Sequence, residues 1–462
     1  MLLSLNSAKQ PSLSAFCAEN FVILAEKQNT KVKMNRKYTF QLTVMALAAL
    51  TGLTTISCKR DLYDEEEYKD MAKKLSPVDS IEAGHDFKTT ATYEVAVKTT
   101  AEPDTRKVQI LSGNPVAGET CYILASKDVT TDGPVRLAFS TPIALKQLYA
   151  ALVNSSGKYT IARFTPGRYE ISTSPAIAQQ VQLSQKPSPQ IYTYCFESEQ
   201  PEVGNYDYND LVLRISQERI DSVRLLLNIT LAAVGTNEKL AAAIRLVGYN
   251  INDIDSVKTE GLTVGETFDD NYELYGASSA FENIDLLQTG LHDEAVIKLF
   301  EDAHWATGAS DLLQQNMSLL RLRYNVSKFP GEEYDLVSPR TITYTIKFKS
   351  AAALDGFTID CLDPFIIKQM NSGFGEIHLG EFQGAQILYE YVMVDAARLL
   401  PWALLIPNGT FRYPLQGYNM GYRKDGYLFG TYMTTGHAFG EWVEDHTKAI
   451  DWYNYPTLNM AF

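Results

Sequence analysis

The sequence is poor in the residues and motifs from which enzymes and metal centres are usually recognised. Its five cysteines (Cys17, Cys58, Cys121, Cys195 and Cys361) include no C-x-x-C pair, so neither a zinc ribbon nor a thioredoxin-type centre is indicated. Two of them lie in or beside an amino-terminal export region. Of the remaining three, Cys121 and Cys195 occupy strand-like apolar contexts and read as buried free thiols, with one disulfide among the three as the alternative. There are six histidines and no H-E-x-x-H. The nucleophile elbow G-x-S-x-G, the phosphate loop G-x-x-x-x-G-K-[ST] and the dinucleotide turn G-x-G-x-x-G are all missing. Positive charge is also scarce. The formal net charge is −14, and residues 1–57 hold six Lys/Arg against two Glu, which leaves −18 on the rest. Phosphate backbones need a basic face, so nucleic acid is not an expected partner. No internal repeat and no low-complexity tract appear.

What is present begins at Met34. Asn35-Arg36-Lys37 gives a basic start, Thr39 to Ile56 is an uncharged apolar run, and Thr55-Ile56-Ser57-Cys58 ends it. Basic, apolar, small residue, cleavage is the order of a secretory signal. A cysteine directly after the small residue resembles a lipobox, which makes Cys58 the expected lipid-attachment residue and mature amino terminus, with Met34 the expected start. The alternative is one membrane-spanning anchor, since the run approaches the ~20 residues required. Lys59-Arg60-Asp61 and Asp64-Glu65-Glu66-Glu67 follow. Acidic residues there resemble the surface-export signal of Bacteroides-type lipoproteins. The expected location is the outer membrane, lipid-anchored and facing outward, with acyl chains supplying attachment.

Residues 58–85 read as a lipidated tether with a helix-prone stretch from Glu65 to Leu75. From Asp86 the pattern becomes alternating. Tyr93 to Thr99, Val108 to Leu111, Thr120 to Leu124 and Leu148 to Val153 are short strands between turn signals, predicting a small β-sandwich over 86–186. Pro187 and Pro189 mark the next boundary. Strands are expected at Leu211 to Ser216, Val223 to Val234, Leu240 to Gly248 and Thr341 to Lys349 within 187–462. Helical spacing is confined to Asp293 to His304 and Met393 to Leu400. The fold class is mainly β, with antiparallel β-sandwich domains and a few short helices.

Five ordered blocks stand out: Cys195-Phe196-Glu197 through Leu211-Val212, Phe300 to Trp305, Asp363-Pro364-Phe365-Ile366-Ile367, Glu376-Ile377-His378-Leu379, and Ile406 to Pro414. Together they resemble the LruC-domain family of Bacteroides-type surface lipoproteins, over roughly residues 190–460. The family's biochemical role is unsettled, so the resemblance implies location and fold class rather than mechanism. Asn205 stands where the family commonly has Asp, which removes one charge from the acidic loop.

That loop is the first candidate site. Asn205, Asp207 and Asn209 alternate with Tyr206 and Tyr208, and Asp210 follows. In an extended chain the oxygen-bearing side chains would converge on one side while the tyrosines pack inward. Hard cations want six to eight oxygens, and Glu197 could add more, so Ca²⁺ is the candidate cofactor. An EF-hand is ruled out, because Asp210 and Ser216 hold the places of its glycine and glutamate. The competing reading is a turn capped by Asn/Asp side chains. The second candidate is the carboxyl-terminal stretch, where 14 of residues 401–462 are aromatic. Trp402, Trp442, Trp452 and Tyr453 form a candidate stacking surface for a glycan or protein, with a domain-closing core as the alternative. His437, Glu441 and Asp445 at four-residue spacing read as a solvated helix face. His304 reads as packing.

These readings combine into a non-catalytic cell-surface lipoprotein that binds a glycan, host matrix or partner protein. The alternatives are a structural surface-layer or pilus-like subunit and a polysaccharide-degrading hydrolase. Replacing Cys58 with Ala is expected to abolish fatty-acid labelling and to leave unprocessed precursor in cells. Labelling that persists in that variant would disprove lipid attachment at Cys58.

Overall fold

Alternation along the strands decides the architecture. In Leu211-Val212-Leu213-Arg214-Ile215, the residues 211, 213 and 215 join one core cluster while Val212 joins another. A strand whose two faces meet different apolar layers belongs to a sheet covered on both sides.

The structure is a computed structural model that describes residues 66, 70, 74, 76–99, 104–130, 133–172, 180–199, 204–260, 286–308, 322–370, 373–380, 391–392, 400–422 and 430–462. The amino-terminal part contributes β1 (Thr90–Lys98), β2 (Thr105–Leu111), β3 (Tyr122–Asp128), β4 (Val135–Pro142), β5 (Leu148–Asn154), β6 (Tyr159–Phe164), β7 (Glu170–Ser172) and β8 (Ser188–Pro189). They form a three-stranded sheet of order β4-β1-β7 and a five-stranded sheet of order β6-β5-β2-β3-β8. Val95, Val97, Val108, Ile110, Phe139 and Leu152 pack between these sheets.

The carboxyl-terminal part contributes β9 (Ile191–Phe196), β10 (Leu211–Arg219), β11 (Arg224–Ala233), β12 (Leu240–Asn250), β13 (Ile254–Glu260), β14 (Leu287–Thr289) and β15 (Glu294–Phe300). It continues with β16 (Arg323–Tyr324), β17 (Tyr334–Asp335), β18 (Arg340–Phe348), β19 (Leu362–Met370), β20 (Gly373–Ile377), β21 (Tyr391–Val392) and β22 (Ala403–Ile406). Two six-stranded sheets result, β13-β18-β11-β10-β9-β22 and β14-β15-β12-β19-β20-β21. Leu225, Leu227, Ile229 and Leu231 of β11 meet Leu240, Ala242, Ile244 and Leu246 of β12 between them. The fold is therefore mainly β, with antiparallel sheets stacked as sandwiches, and no sheet closes into a barrel. The helices α1 (Ala303–Ala306), α2 (Ala351–Leu354) and α3 (Phe439–Glu444) are single turns or little more, and Glu66, Asp70 and Lys74 are also helical. No described helix is long and apolar enough to cross a membrane.

The outer face of the β9–β10–β22 region is covered by a third layer. Cys195, Val212, Leu404 and Ile406 point into it and meet Tyr206, Tyr208, Phe411, Tyr432, Phe439, Trp442 and Trp452. Within it Trp452 lies edge-on to Tyr432 (5.0 Å between ring centres) and to Phe439 (4.9 Å). Edge-to-face contacts of this kind are the preferred aromatic geometry.

Two expectations are corrected. The helical spacing read over Asp293 to His304 is a strand, β15, followed by α1. Ala295, Ile297 and Leu299 face the sandwich core at two-residue spacing, and pairing with β12 overrides the equally readable 3.6-residue period. The tether is shorter than read: Val78 is buried in the aromatic layer, and the Glu82 N–H donates to the Val443 carbonyl (3.0 Å). Residues 76–85 are thus part of the folded unit. Most of Met393 to Leu400 lies outside the described residues, as does Cys58. Cys121, Cys195 and Cys361 are free thiols, and burial pushes the Cys195 thiol well above its ordinary range.

One carboxylate ties the amino-terminal sheets to the rest. Asp360, in a short 3₁₀ turn before β19, accepts from Thr90 Oγ1 (2.7 Å), Ser140 Oγ (2.8 Å) and Thr92 Oγ1. Replacing Trp452 with Ala is expected to cost about 3–5 kcal/mol in denaturant unfolding, the range for a fully buried large aromatic. A loss below about 1 kcal/mol would show that the aromatic layer is a peripheral flap rather than a core.

Candidate functional site

The acidic loop sits between β9 and β10 and is built from side chains that cap backbone. Tyr206 and Tyr208 adopt left-handed backbone conformations (φ 59° and 51°), unfavourable for residues with a Cβ. Every turn of the loop is held by an oxygen. The Asp207 N–H donates to Asn205 Oδ1 (3.0 Å) and the Asn209 N–H to Asp207 Oδ1 (3.3 Å). Glu197 Oε1 accepts from the Tyr208 N–H (2.6 Å), and Glu199 Oε2 from the Asn205 N–H (2.8 Å). Asp210 Oδ2 accepts from the Ser198 N–H (2.6 Å) and hydroxyl (2.9 Å). Tyr208 anchors the far side through its hydroxyl, which donates to the Pro401 carbonyl (2.6 Å).

The expected inward tyrosines are present, but the expected extended alternation is not. Asp207, Asn209 and Glu197 are fully buried along with the tyrosines, because left-handed residues fold the loop back on itself. Burial has an electrostatic consequence. Removal from water, with Glu197, Asp210 and Glu199 close by, holds the Asp207 carboxyl well above the usual carboxylate range. Burial and Glu197 raise Asp210 to about 7, against the opposing effect of its Ser198 hydrogen bonds.

For a cation the donor chemistry is suitable, being oxygen-only, buried and net negative. The arrangement is less so. Among the described residues, the trio of acidic or imidazole groups whose ligand atoms lie within 4.8 Å of one another is Glu82, Asp445 and His446, at the surface, and not the loop. In the loop, Asn209 Oδ1 is buried without a hydrogen-bond partner, while Asn205 Nδ2 donates to Asp207 Oδ2 (2.9 Å). The geometry present is a side-chain-capped turn.

Trp402, Trp442, Trp452 and Tyr453 are corrected from a candidate binding surface to core. All four are at most 4% exposed, and a ring sealed between neighbouring rings cannot stack on a ligand. His437 does not share a helix face with Glu441 and Asp445. It precedes α3, pairs with Asp451 (2.7 Å) and stacks on Tyr455. His304 packs as read, with its ring between Asp302 (3.2 Å) and the Thr236 carbonyl (3.0 Å).

A charged network went unrecognised in the sequence, although three of its residues, Asp363, Glu376 and His378, fall in two of the family blocks. His378 Nδ1 lies 2.7 Å from Asp363 Oδ2, and its Nε2 lies 3.1 Å from Glu376 Oε2. Arg245 reaches the same Asp363 oxygen (3.0 Å) and Glu294 (3.3 Å). The Asp363 and Glu376 carboxylates overcome the effect of burial and raise His378 to about 9, so it is an imidazolium at neutral pH. Arg245, Asp363 and Glu376 lie on β12, β19 and β20, and His378, directly after β20, stacks on Phe365 (4.6 Å). The signal available in the sequence was the alternation in Glu376-Ile377-His378, which puts two polar side chains on one strand face.

A third arrangement is a cleft of about 390 Å³ between the five-stranded amino-terminal sheet and the end of β10 with the turn after α2. Asp355 at its rim joins Lys127 of β3 (2.8 Å) and Arg219 of β10 (3.0 Å).

Residues 221–442, just under half of the chain, match the family model of a domain of unknown function (DUF4842). Four of the five blocks that resemble the LruC domain lie at least partly within that stretch. A crystal structure at 2.08 Å of a Bacteroides ovatus protein, provisionally designated a lipoprotein, is also similar to the chain. The identity is 14% and the TM-score 0.46, over 78% of this chain and 99% of that one. No curated protein matches the chain.

Asp207 and Asp210 have folded-state values raised above their unfolded ones, so they take up protons on folding. For Asp210 the stabilising contribution is complete below about pH 4 and is lost as pH rises through about 7, and Asp207 has the same sign. His378 has the same sign in a later window, between about 6.5 and 9. Thermal melts are expected to show a falling Tm across pH 4–7 that Asp210→Asn flattens, and a second fall above pH 6.5 that His378→Gln flattens. A wild-type curve that is level or rises over pH 4–7, or one that Asp210→Asn leaves unaltered, contradicts the buried-carboxylate account.

Proposed function

We propose that the chain is an exported lipoprotein, anchored through a diacylated Cys58 and displayed outward on the outer membrane, where it acts as a non-catalytic binding module of the LruC type. The ligand is a glycan, a host-matrix component or a partner protein. The observation that carries this reading is the cleft at the junction of the two sandwiches. Rigid sheets hold its walls, and the Lys127–Asp355–Arg219 triad spans its rim. Loops and edges on a fixed β frame are a common way to present recognition groups. The charged residues gathered elsewhere in the interior are engaged in holding strands and turns, as His378 and Glu197 illustrate.

Ca²⁺ is the cation that the loop of Asn205, Asp207, Asn209, Asp210 and Glu197 would take, with Asn209 Oδ1 as the donor not engaged elsewhere. Its effect there is to neutralise carboxylates that otherwise hold protons, ordering the entry to β10. A ligand that binds only the folded state stabilises it by mass action, and extracellular sites of millimolar affinity suffice for that.

A glycan and extracellular-matrix array probed with the chain, in calcium and in chelator, tests the reading. Binding to one class of array component, stronger in calcium, is expected. Turnover of a polysaccharide on the array would replace the module with a hydrolase. Self-association without any array binding would replace it with a structural subunit.

A further inference from the structure

The cleft between the two sandwiches contains polar atoms that the protein itself does not satisfy. Gln109 on β2 and Ser126 on β3 are direct register partners, so their side chains stand side by side on the outer face of the five-stranded sheet. Gln217, near the end of β10, lines the same cleft from the carboxyl-terminal side. Gln109 Oε1, Ser126 Oγ and Gln217 Oε1 are all buried and have no hydrogen-bond partner. Buried polar atoms are nearly always paired, because leaving one dry forfeits its interaction with water. All three belong to residues that line one cavity and come from two modules, and turning an amide end for end, or a hydroxyl about its single torsion, presents the sealed oxygen to a molecule between them.

We infer that this cleft binds a neutral saccharide of one or two rings. Three properties select that class. Two amides and a hydroxyl each both donate and accept, and sugar hydroxyls do the same, so the match does not depend on which way each amide is turned. The charge of the walls is nearly cancelled. Asp355 is held between Lys127 and Arg219, Lys107 is paired with Asp128 (3.6 Å), and with Glu94, Glu218 and Arg136 the carboxylates and cations come to four each, so no strong field selects an anion or a cation. Ile123, Leu225 and Phe357 supply apolar wall for the C–H faces of a sugar ring. The volume, about 390 Å³, is at the small end for ligand pockets and suits such a ring or pair of rings. The inference rests on the binding-module reading and deepens it by assigning the site and the ligand class.

The test uses the full chain in detergent and a panel of neutral mono- and disaccharides with their sulfated counterparts, read by calorimetry. At least one neutral saccharide is expected to bind. Gln109→Met and Gln217→Met should each weaken it about tenfold, the scale of one lost hydrogen bond in a closed site. Both changes remove an unsatisfied buried amide and keep the side-chain volume, so the ligand-free Tm should hold or rise. That separates loss of binding from loss of fold. Unchanged affinity in both variants assigns the sugar to another surface, which overturns the cleft while the binding module stands. Preference for the sulfated forms overturns the neutral class. No binding by any saccharide in the panel overturns the inference outright, and a hit of another class on the wider array would then show that the module reading survives it.

Discussion

The constraint on which the rest of the structure depends is that β9, β10 and β22 must be dry on both faces. Leu211-Val212-Leu213 and Ala403-Leu404-Leu405-Ile406 offer water no polar side. One face is met by the second six-stranded sheet. The other needs a separate layer, and the carboxyl-terminal 62 residues supply it with rings rather than strands. This explains why the aromatic excess sits where it does, and why residues 76–87 are drawn in: Val78, Ile81 and Phe87 fill the margin of that layer. Residues 76–87 and the carboxyl-terminal layer therefore meet over one sheet, and burial of this scale is the dominant favourable contribution to folding.

Two groups of buried charge are handled in opposite ways. Around Asp363, two cationic side chains, His378 and Arg245, face three carboxylates, so the network is nearly balanced and its imidazolium is stable well above neutral pH. Such a pairing is weak evidence for net stability, because desolvation offsets attraction, yet breaking it exposes an uncompensated charge. In the loop before β10, carboxylates crowd together, and Asp207 and Asp210 respond by holding protons. The carboxylates are retained because each caps a backbone N–H that the left-handed tyrosines would otherwise leave buried and unpaired. The loop accepts an electrostatic penalty in exchange for closed backbone bonding.

Much of the fold was legible because its strands alternate. β1, β2, β5, β10, β11, β12 and β18 lie within a few residues of where period-two spacing put them. β15 was misread because Val296, Leu299 and Phe300 satisfy a helical period as well, and only pairing with β12 decides between them. The acidic loop was visible as a cluster, but whether its oxygens converge on an ion or on backbone depends on φ at Tyr206 and Tyr208, which side-chain spacing does not encode. The tryptophans illustrate the same limit. Aromatic density in a glycine-punctuated stretch fits a binding face and a sealing layer equally, and the difference lies in which sheet face remains open. The cleft was invisible, because Gln109, Ser126 and Gln217 are ordinary polar strand residues until two modules are brought together.

That junction also constrains how the loop and the cleft can influence each other. The loop enters β10 at Leu211, and the cleft is lined from its far end at Gln217 to Arg219. Leu211 and Gln217 are six residues apart, roughly 20 Å along the strand at ~3.3 Å per residue. At that distance a proton or cation at the loop has only a weak field at a neutral molecule in the cleft. The stronger route is the order of β10, whose central position between β9 and β11 makes the strand stiff. Asp360 performs the corresponding task from the other side, fixing β1 and β4 against the turn before β19 with three hydroxyl donors on one carboxylate. The two walls of the cleft are thus positioned by Asp360 from one side and by the Lys127–Asp355–Arg219 pairs at the rim. The unpaired oxygens of Gln109 and Gln217 are tolerated because these contacts hold the walls in place.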